Sequence, residues 1–390
     1  MTKTKFISIC IATGVAVTIT ATGLFLLQPQ KFPISEDQKL KLYKKLYVKY
    51  VRIFKSNLSS RFNDAELKLA IEHAKGQPWV QKQIADDLAP FKDGISQDQV
   101  DRWFVEQQDT INKLVKFTVK NGKVSATKLS SKYIYAKTAY KTVYQTITLL
   151  ASKGYIPDCE FIIALNDYLV PTGKFDEPAA IMTFAKHNEV PVEKTTILIP
   201  DWMNMRYWDV LKGRIALANQ IYPWQNKKPL IHWRGGLADS MGHRQKLVEL
   251  NDKLDFLDVG ITQALINPAK HLDPEFSVAY KYQISLDGAR CTWERMIWQM
   301  ASNSVMLKPE SPQVQWFHGG LEPYKNYVPV ADVDENNIRQ VYGWLEEHDT
   351  EVQQIINNAN DFADANFKTQ DFVAYYALLL QEYAKLYKAS

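Results

Sequence analysis

A chain of 390 residues with 46% hydrophobic content is long enough to bury two cores and is not an intrinsically disordered protein. A formal net charge of +4 is too mild to mark a nucleic-acid binder, and apart from one basic stretch after the N-terminal apolar run there is no Arg/Lys block interleaved with aromatics. Three scattered cysteines, Cys10, Cys159 and Cys291, exclude a disulfide framework or a zinc site and agree with a reducing compartment.

Residues Phe6–Gln30 carry no charge. The run Phe6–Leu27 is long enough to cross a hydrocarbon layer of roughly 30 Å as a helix, which predicts an N-terminal transmembrane anchor over residues 1–30. A cleaved secretory signal is the alternative, since Lys3 and Lys5 precede the run, but the run exceeds a signal's apolar core and lacks an A-x-A site. Lys31, Lys39, Lys41, Lys44, Lys45, Lys49, Arg52 and Lys55 follow the span, and this excess predicts a C-terminal domain on the cytoplasmic face of a membrane. The same stretch spaces Leu40, Tyr43, Tyr47 and Val51 as a helix does, which suits an anionic membrane surface and equally an ordinary helix with a solvated basic face.

Residues 31–130 read as a helical lead-in region closed by a polar hairpin, Phe117–Leu129, with Asn121-Gly122 at its tip. A helix follows from about Ser131 to Ser152. Thereafter short apolar runs alternate with helical stretches: Phe161–Leu165, Thr196–Ile199, Leu230–Trp233, Phe256–Val259, Tyr280–Leu286, Ser304–Leu307 and Tyr327–Val330. That alternation predicts an α/β fold with parallel sheets. The prolines and polar residues of Tyr222–Pro229 mark a boundary, giving an α/β lobe over 131–228 and a second over 229–345. Two helices, about Asp349–Phe367 and Gln370–Tyr387, complete residues 346–390.

Arginines beside glycines at strand ends mark anion sites. Arg234 stands where the strand Leu230–Trp233 meets Gly235-Gly236, and paired glycines let backbone approach a ligand. The segment Tyr280–Lys308 reads as a strand ending at Asp287-Gly288, a helix from about Thr292 to Met300, and a strand Ser304–Lys308. A helix start offers free N–H groups to a phosphate and a guanidinium adds two aligned donors, so Arg290 and Arg295 are candidates for a diphosphate. Arg244 suits the same role or a solvent-facing one, and Lys308 either meets the diphosphate or ends a strand in solvent. Ser302-Asn303-Ser304 reads as a ribose or phosphate contact through Ser304, or as a plain turn. Trp293 and Trp316 are the candidates for ring contact near that ligand.

Two carboxylates follow strands. Asp167 suits a general base or an Asx-turn cap, and Asp201, which follows the next strand in the same way, is the reserve candidate, suited to substrate contact or loop structure. Asp332-Val333-Asp334 spells a DxD pattern, read here as a strand end plus helix cap because Glu335 opens a helix. The histidines make no metal-ligand spacing.

Taken together, Asn166-Asp167-Tyr168, Pro200-Asp201, Trp233-Arg234-Gly235, Lys281-Tyr282, Asp287-Gly288, Trp293-Glu294-Arg295, Ser302-Asn303-Ser304 with Lys308, and Leu321-Glu322-Pro323-Tyr324 with Tyr327-Val328-Pro329-Val330 resemble the CAP10-like glycosyltransferases, family 90. The family includes protein O-glucosyltransferases and lipopolysaccharide-modifying enzymes. The resemblance runs from about Cys159 to the C-terminus and implies a GT-B-like pair of Rossmann-type lobes with terminal helices packed back across both. It further implies inverting transfer from a UDP-sugar without a metal cofactor, Asp167 as base, and a donor site built from Arg234, Gly235, Gly288, Arg290, Trp293, Arg295 and Ser304. The expected partners are a UDP-sugar, a glycan or lipid-linked glycan such as lipopolysaccharide core, and a membrane, with no nucleic acid. The low cysteine count points to the cytoplasmic face of a bacterial inner membrane. The alternatives are a protein O-glucosyl- or xylosyltransferase of a secretory compartment and an inactive glycan- or nucleotide-binding scaffold.

Overall fold

A computed structural model describes residues 61–107, 113–129, 134–165, 180–263 and 268–389, together with residues 35, 38, 41 and 58. The anchor expected at Phe6–Leu27 and the motif Asn166-Asp167-Tyr168 lie outside the described residues. No helix among those described is long and apolar enough to cross a membrane.

Two five-stranded sheets form the body. The first is built from β1 (Leu114–Lys120), β2 (Lys123–Ala126), β3 (Cys159–Ala164), β4 (Ile181–Thr183) and β5 (Ile197–Leu198), in the order β2-β1-β3-β4-β5. Its β3, β4 and β5 are parallel, whereas β1 runs antiparallel to β2 and β3. The hairpin turn at Asn121-Gly122 has both residues at positive φ, 52° and 70°, matching the twist of the strands it joins. Sequence alone assigned that hairpin to the lead-in region; its apolar alternation instead pairs β1 with β3 and extends the first sheet. β4 is three residues long and offers no periodicity, so the sequence reading passed over it.

The second sheet is wholly parallel: β6 (Lys228–Gly235), β7 (Leu257–Ile261), β8 (Tyr280–Ile284), β9 (Val305–Pro309) and β10 (Val328–Val330), ordered β10-β9-β8-β6-β7. Ile231, Trp233, Ile284 and Leu307 fill its core, each fully buried. Apolar positions on both faces of these strands fit a sheet covered on each side by helices. A turn at Trp224–Asn226 separates the helix Trp202–Ile221 from β6, at the boundary expected from the prolines.

Among the described residues, a ribbon and the terminal helices help tie the lobes together. A short antiparallel ribbon pairs Lys186–His187 with Gln313–Val314. Helix Asp349–Asn366 packs on β9 of the second lobe, and helix Thr369–Leu386 returns to the first. There Tyr376 Oη donates to Pro200 O at 3.0 Å, Tyr383 Oη to Glu160 O at 3.0 Å and Trp208 Nε1 to Phe367 O at 2.6 Å. The terminal helices therefore cross both lobes, as the resemblance implied. Trp316 lies in the aromatic cluster beneath them, against Trp79, Phe317, Phe372 and Tyr375. At 2% exposure it is a core residue and not a ring facing a donor.

Asp371 opens the last helix, its Oδ2 accepting from Lys368 N at 2.8 Å. Burial pushes its pKa from 3.8 up to about 6, against the pull of Lys368. The native state thus binds this proton more tightly than the unfolded chain. The associated stability is greatest below about pH 4 and is lost as pH rises through about 6. Asp371→Asn keeps a capping acceptor and is expected to flatten the decline between those pH values, raising stability at pH 7 by up to about 3 kcal/mol. Urea unfolding at a series of pH values measures this; an unchanged slope would exclude Asp371 as its source.

Candidate active site

Open parallel sheets bind ligands beyond the carboxyl ends of their strands, where the strand order reverses direction. In the second sheet that point is the gap between β6 and β8, because β7 lies to one side of β6 and β8, β9 and β10 to the other. The loops leaving it are 236–242 and 285–294. They are joined by Ser240 N donating to Gly288 O at 2.9 Å. A cavity of about 330 Å³ opens between them, lined by Asp239, Ser240, Ala289 and Arg290.

Arg244, on the short helix His243–Glu249, reaches into this gap. Its Nη1 donates to Gly236 O at 2.8 Å, Nε to Asp287 O at 2.7 Å and Nη2 to Leu286 O at 3.3 Å. Asp239 accepts from the backbone of Met241, Gly242 and Arg244, so the first N–H groups of that helix are already met. Arg295 begins the helix Arg295–Met300 and donates to Arg234 O at 2.7 Å. The two guanidiniums stand 5.2 and 6.0 Å from the centroid of the buried Trp233 ring.

Among the described residues, carbonyls and ring faces meet these two guanidiniums, and neither forms a carboxylate ion pair. Burial, then the neighbouring Arg244, lowers the Arg295 pKa to about 10, so it stays charged at neutral pH. Burial also lowers Arg244, offset by Asp239 and Asp287. Burial raises Asp287 to about 6 in spite of the Ser311 hydrogen bond, Lys308 and Arg244, so it remains mostly ionised at neutral pH. Two like charges this close repel, and an anion placed beside them stabilises both.

Arg290 completes the positive wall. It lines the cavity and its Nη2 bonds Glu193 Oε1 of the opposite lobe at 2.7 Å. Beside it Trp293, with φ of 56°, packs against Phe184 of that lobe at 6.1 Å between ring centroids. A bulky residue held in the left-handed region costs on the order of 1–3 kcal/mol and is found where surrounding structure or function requires it.

Other expected residues are placed differently. Arg234 shares a strand with Trp233, and strand alternation turns it to the opposite face of the sheet. There its Nη2 bonds Asp258 Oδ1 and its Nη1 bonds Asp258 O at 2.7 Å and Trp233 O at 3.0 Å. Tyr280 Oη donates to the second Asp258 oxygen, and His232 stacks on Tyr280 at 4.0 Å. The Arg234 fork is therefore held by Asp258, and what this residue supplies to the gap is the carbonyl that holds Arg295. Ser304 is not at the gap: it precedes β9, at the amino ends of the strands, where its hydroxyl donates to Tyr280 O at 2.8 Å and accepts from the buried Lys227 Nζ at 2.8 Å.

The glycines serve packing at least as much as ligand approach. A Cβ on Gly235 would lie 2.4 Å from Trp233 Cζ2, and one on Gly288 would lie 3.0 Å from Arg244 Nη2. Lys308 is partly buried beside Asp287, not a solvated strand end. Asp201 caps the helix Trp202–Ile221, Oδ1 accepting from Met203 N and Asn204 N at 2.9 Å and Oδ2 from Asn204 Nδ2. Asp334 caps Glu335–Glu347 by accepting from Asn337 N at 2.8 Å, which gives its DxD motif the structural role expected of it.

Residues 72–390 match the profile of Glycosyl transferase family 90. The chain belongs to glycosyl transferase family 90. Relatives include Protein O-glucosyltransferase 2 of Danio rerio, 25% identical over 78% of this chain and 62% of the relative, and Protein O-glucosyltransferase 3 of Homo sapiens, 26% identical over 79% and 62%. This family member thus spans less than two thirds of either relative's length. The O-glucosyltransferase rumi homolog of Aedes aegypti is 22% identical over 92% of the chain and 90% of the relative. A solved GtfA/B complex aligns with 42% of the chain at 15% identity and a TM-score of 0.30, a level at which the topology described above is the better guide to the fold.

Proposed function

We propose that this family 90 member transfers a sugar from a UDP-sugar to a hydroxyl group on a protein, in the gap between two GT-B-like lobes. The observation that carries the reading is the pair Arg244 and Arg295, both half-buried against the Trp233 ring at the strand-order reversal of the second sheet and without a carboxylate ion pair among the described residues. Arg295 and Arg290 hold the diphosphate, and their charge stabilises the leaving UDP as negative charge grows on it. The acceptor oxygen bonds to the anomeric carbon as that carbon's bond to the diphosphate oxygen breaks. The hydroxyl proton passes to Asp167, and the bonding electrons leave with UDP.

The acceptor expected first from the sequence, lipopolysaccharide core, finds no support among the relatives. Those named above are O-glucosyltransferases, two of them described as protein-directed, which favours the protein-acceptor alternative. Incubating the full-length protein with UDP-glucose or UDP-xylose, and with either a folded protein bearing exposed serines or a lipopolysaccharide acceptor, tests this through released UDP. The proposal requires UDP release that depends on the protein; release only with lipopolysaccharide would overturn the acceptor assignment.

A further inference from the structure

The motif Ser302-Asn303-Ser304 lies away from the gap, at a junction between the lobes. It turns the chain from helix Arg295–Met300 into β9, with Asn303 in the left-handed region at a φ of 49°. Three other elements converge on this turn. Asn219, near the end of the first-lobe helix Trp202–Ile221, donates through Nδ2 to Ala301 O at 2.9 Å. Asn360 of the crossing helix Asp349–Asn366 donates to Asn303 Oδ1 at 2.8 Å. Lys227, the residue that joins the inter-lobe turn Trp224–Asn226 to β6, donates to Ser302 O at 3.0 Å and to Ser304 Oγ at 2.8 Å. Its remaining bond goes to Val278 O, just before β8, at 2.6 Å.

Lys227 is 4% exposed, and the three N–H groups of its ammonium all meet neutral oxygens. Among the described residues no carboxylate pairs with it. On the neighbouring elements Glu275 and Asp273 pair with Arg214, Tyr280 donates to Asp258, and Lys281 and Lys228 lie over the rings of Trp224 and Tyr280. A buried cation without a counter-charge favours any movement that brings water to it.

We propose that the turn Ala301–Ser304 is the pivot between the lobes and that Lys227 makes it proton-sensitive: a neutral Lys227 keeps the junction closed, and a proton on Lys227 favours its opening. Burial lowers the Lys227 pKa from 10.5 to about 7. An opened junction hydrates the side chain and returns it towards its ordinary value, so the open state holds the proton more tightly. Opening therefore becomes easier as pH falls from 10.5 towards 7, by up to about tenfold per unit, and levels off below 7, where both states are protonated. Helix Arg295–Met300 ends at this turn, so a shift of the pivot changes how far the lobes part.

Hydrogen exchange of the full-length protein between about pH 6 and 9, each rate divided by the intrinsic rate at that pH, reads the opening. The reporters are the bonded amides of Ala301, Ser302 and Lys228. They are expected to exchange together and ahead of the amides of β1 and β3, with protection rising about tenfold or more from pH 7 to pH 9. Lys227→Met is expected to abolish that rise. Ser304→Ala, a milder change that removes one acceptor from the ammonium, is expected to move the levelling-off below pH 7. Reporter protection that does not change with pH in the unsubstituted protein would overturn the role of Lys227. Exchange of the reporters only in step with β1 and β3 would overturn the pivot. No ligand enters the test, so its outcome is independent of the donor reading.

Discussion

Asp167→Asn is expected to lower sugar transfer by about 10²–10⁴-fold while leaving UDP affinity near that of the unsubstituted protein. The amide keeps the size and polarity of the side chain but cannot take a proton from the attacking hydroxyl. In sequence Asp167 comes shortly after β3, the central strand of the first sheet, and sheets of this kind bind ligands beyond the carboxyl ends of their strands. The other carboxylate after a strand of that sheet, Asp201, is unsuited to the task. Its oxygens accept from two backbone N–H groups and the Asn204 amide, and it is buried as the cap of a 20-residue helix. Asp201→Asn should therefore act mainly on stability. Initial rates with saturating UDP-sugar, set beside UDP titrations, separate the two variants; transfer unchanged in Asp167→Asn would remove it as the base.

Lys186→Met is expected to cost about 3–5 kcal/mol of stability, because it strands the buried carboxylate of Asp87. Asp87 is on the helix Pro78–Leu88 with no exposed side-chain surface, and Lys186 retains 9%. The Lys186 ammonium also donates to Thr196 O at 3.1 Å, while the second Asp87 oxygen accepts from Leu198 N at 2.9 Å. Burial raises the Asp87 pKa and Lys186 opposes it, so removing the lysine leaves the penalty without its counterweight. One pair thereby joins the lead-in helices, β5 and the ribbon that links the lobes. Urea midpoints at constant m-value read the loss, and the double variant Asp87→Leu/Lys186→Met should recover most of it. A loss below about 1 kcal/mol would place the pair with exposed ion pairs instead.

Much of the architecture was legible in the sequence because it rests on local signals. Each apolar run of the second lobe became a strand, Asn121-Gly122 turned a hairpin, and Asp334 capped a helix. Arginines after β6 and β8 gathered at one gap because a parallel sheet brings its carboxyl ends to one edge. What stayed hidden depends on register between distant strands. Asp258 faces Arg234 only because β7 pairs with β6 so that His232 lies opposite Asp258. Glu193 meets Arg290 only because a two-residue ribbon joins the lobes, and no periodicity shows in segments that short. Ser304 stands at the start of its strand, as the sequence reads it, and that end of a parallel sheet lies away from the gap.

The central claim is that the gap between β6 and β8 grips a sugar diphosphate by guanidinium groups. Calorimetric titration of UDP into Arg295→Ala tests it most directly. A charge-assisted bond to the diphosphate is worth roughly 1.5–3 kcal/mol, so affinity is expected to fall by about tenfold or more relative to the unsubstituted protein. UDP bound by Arg295→Ala with undiminished affinity would contradict the account.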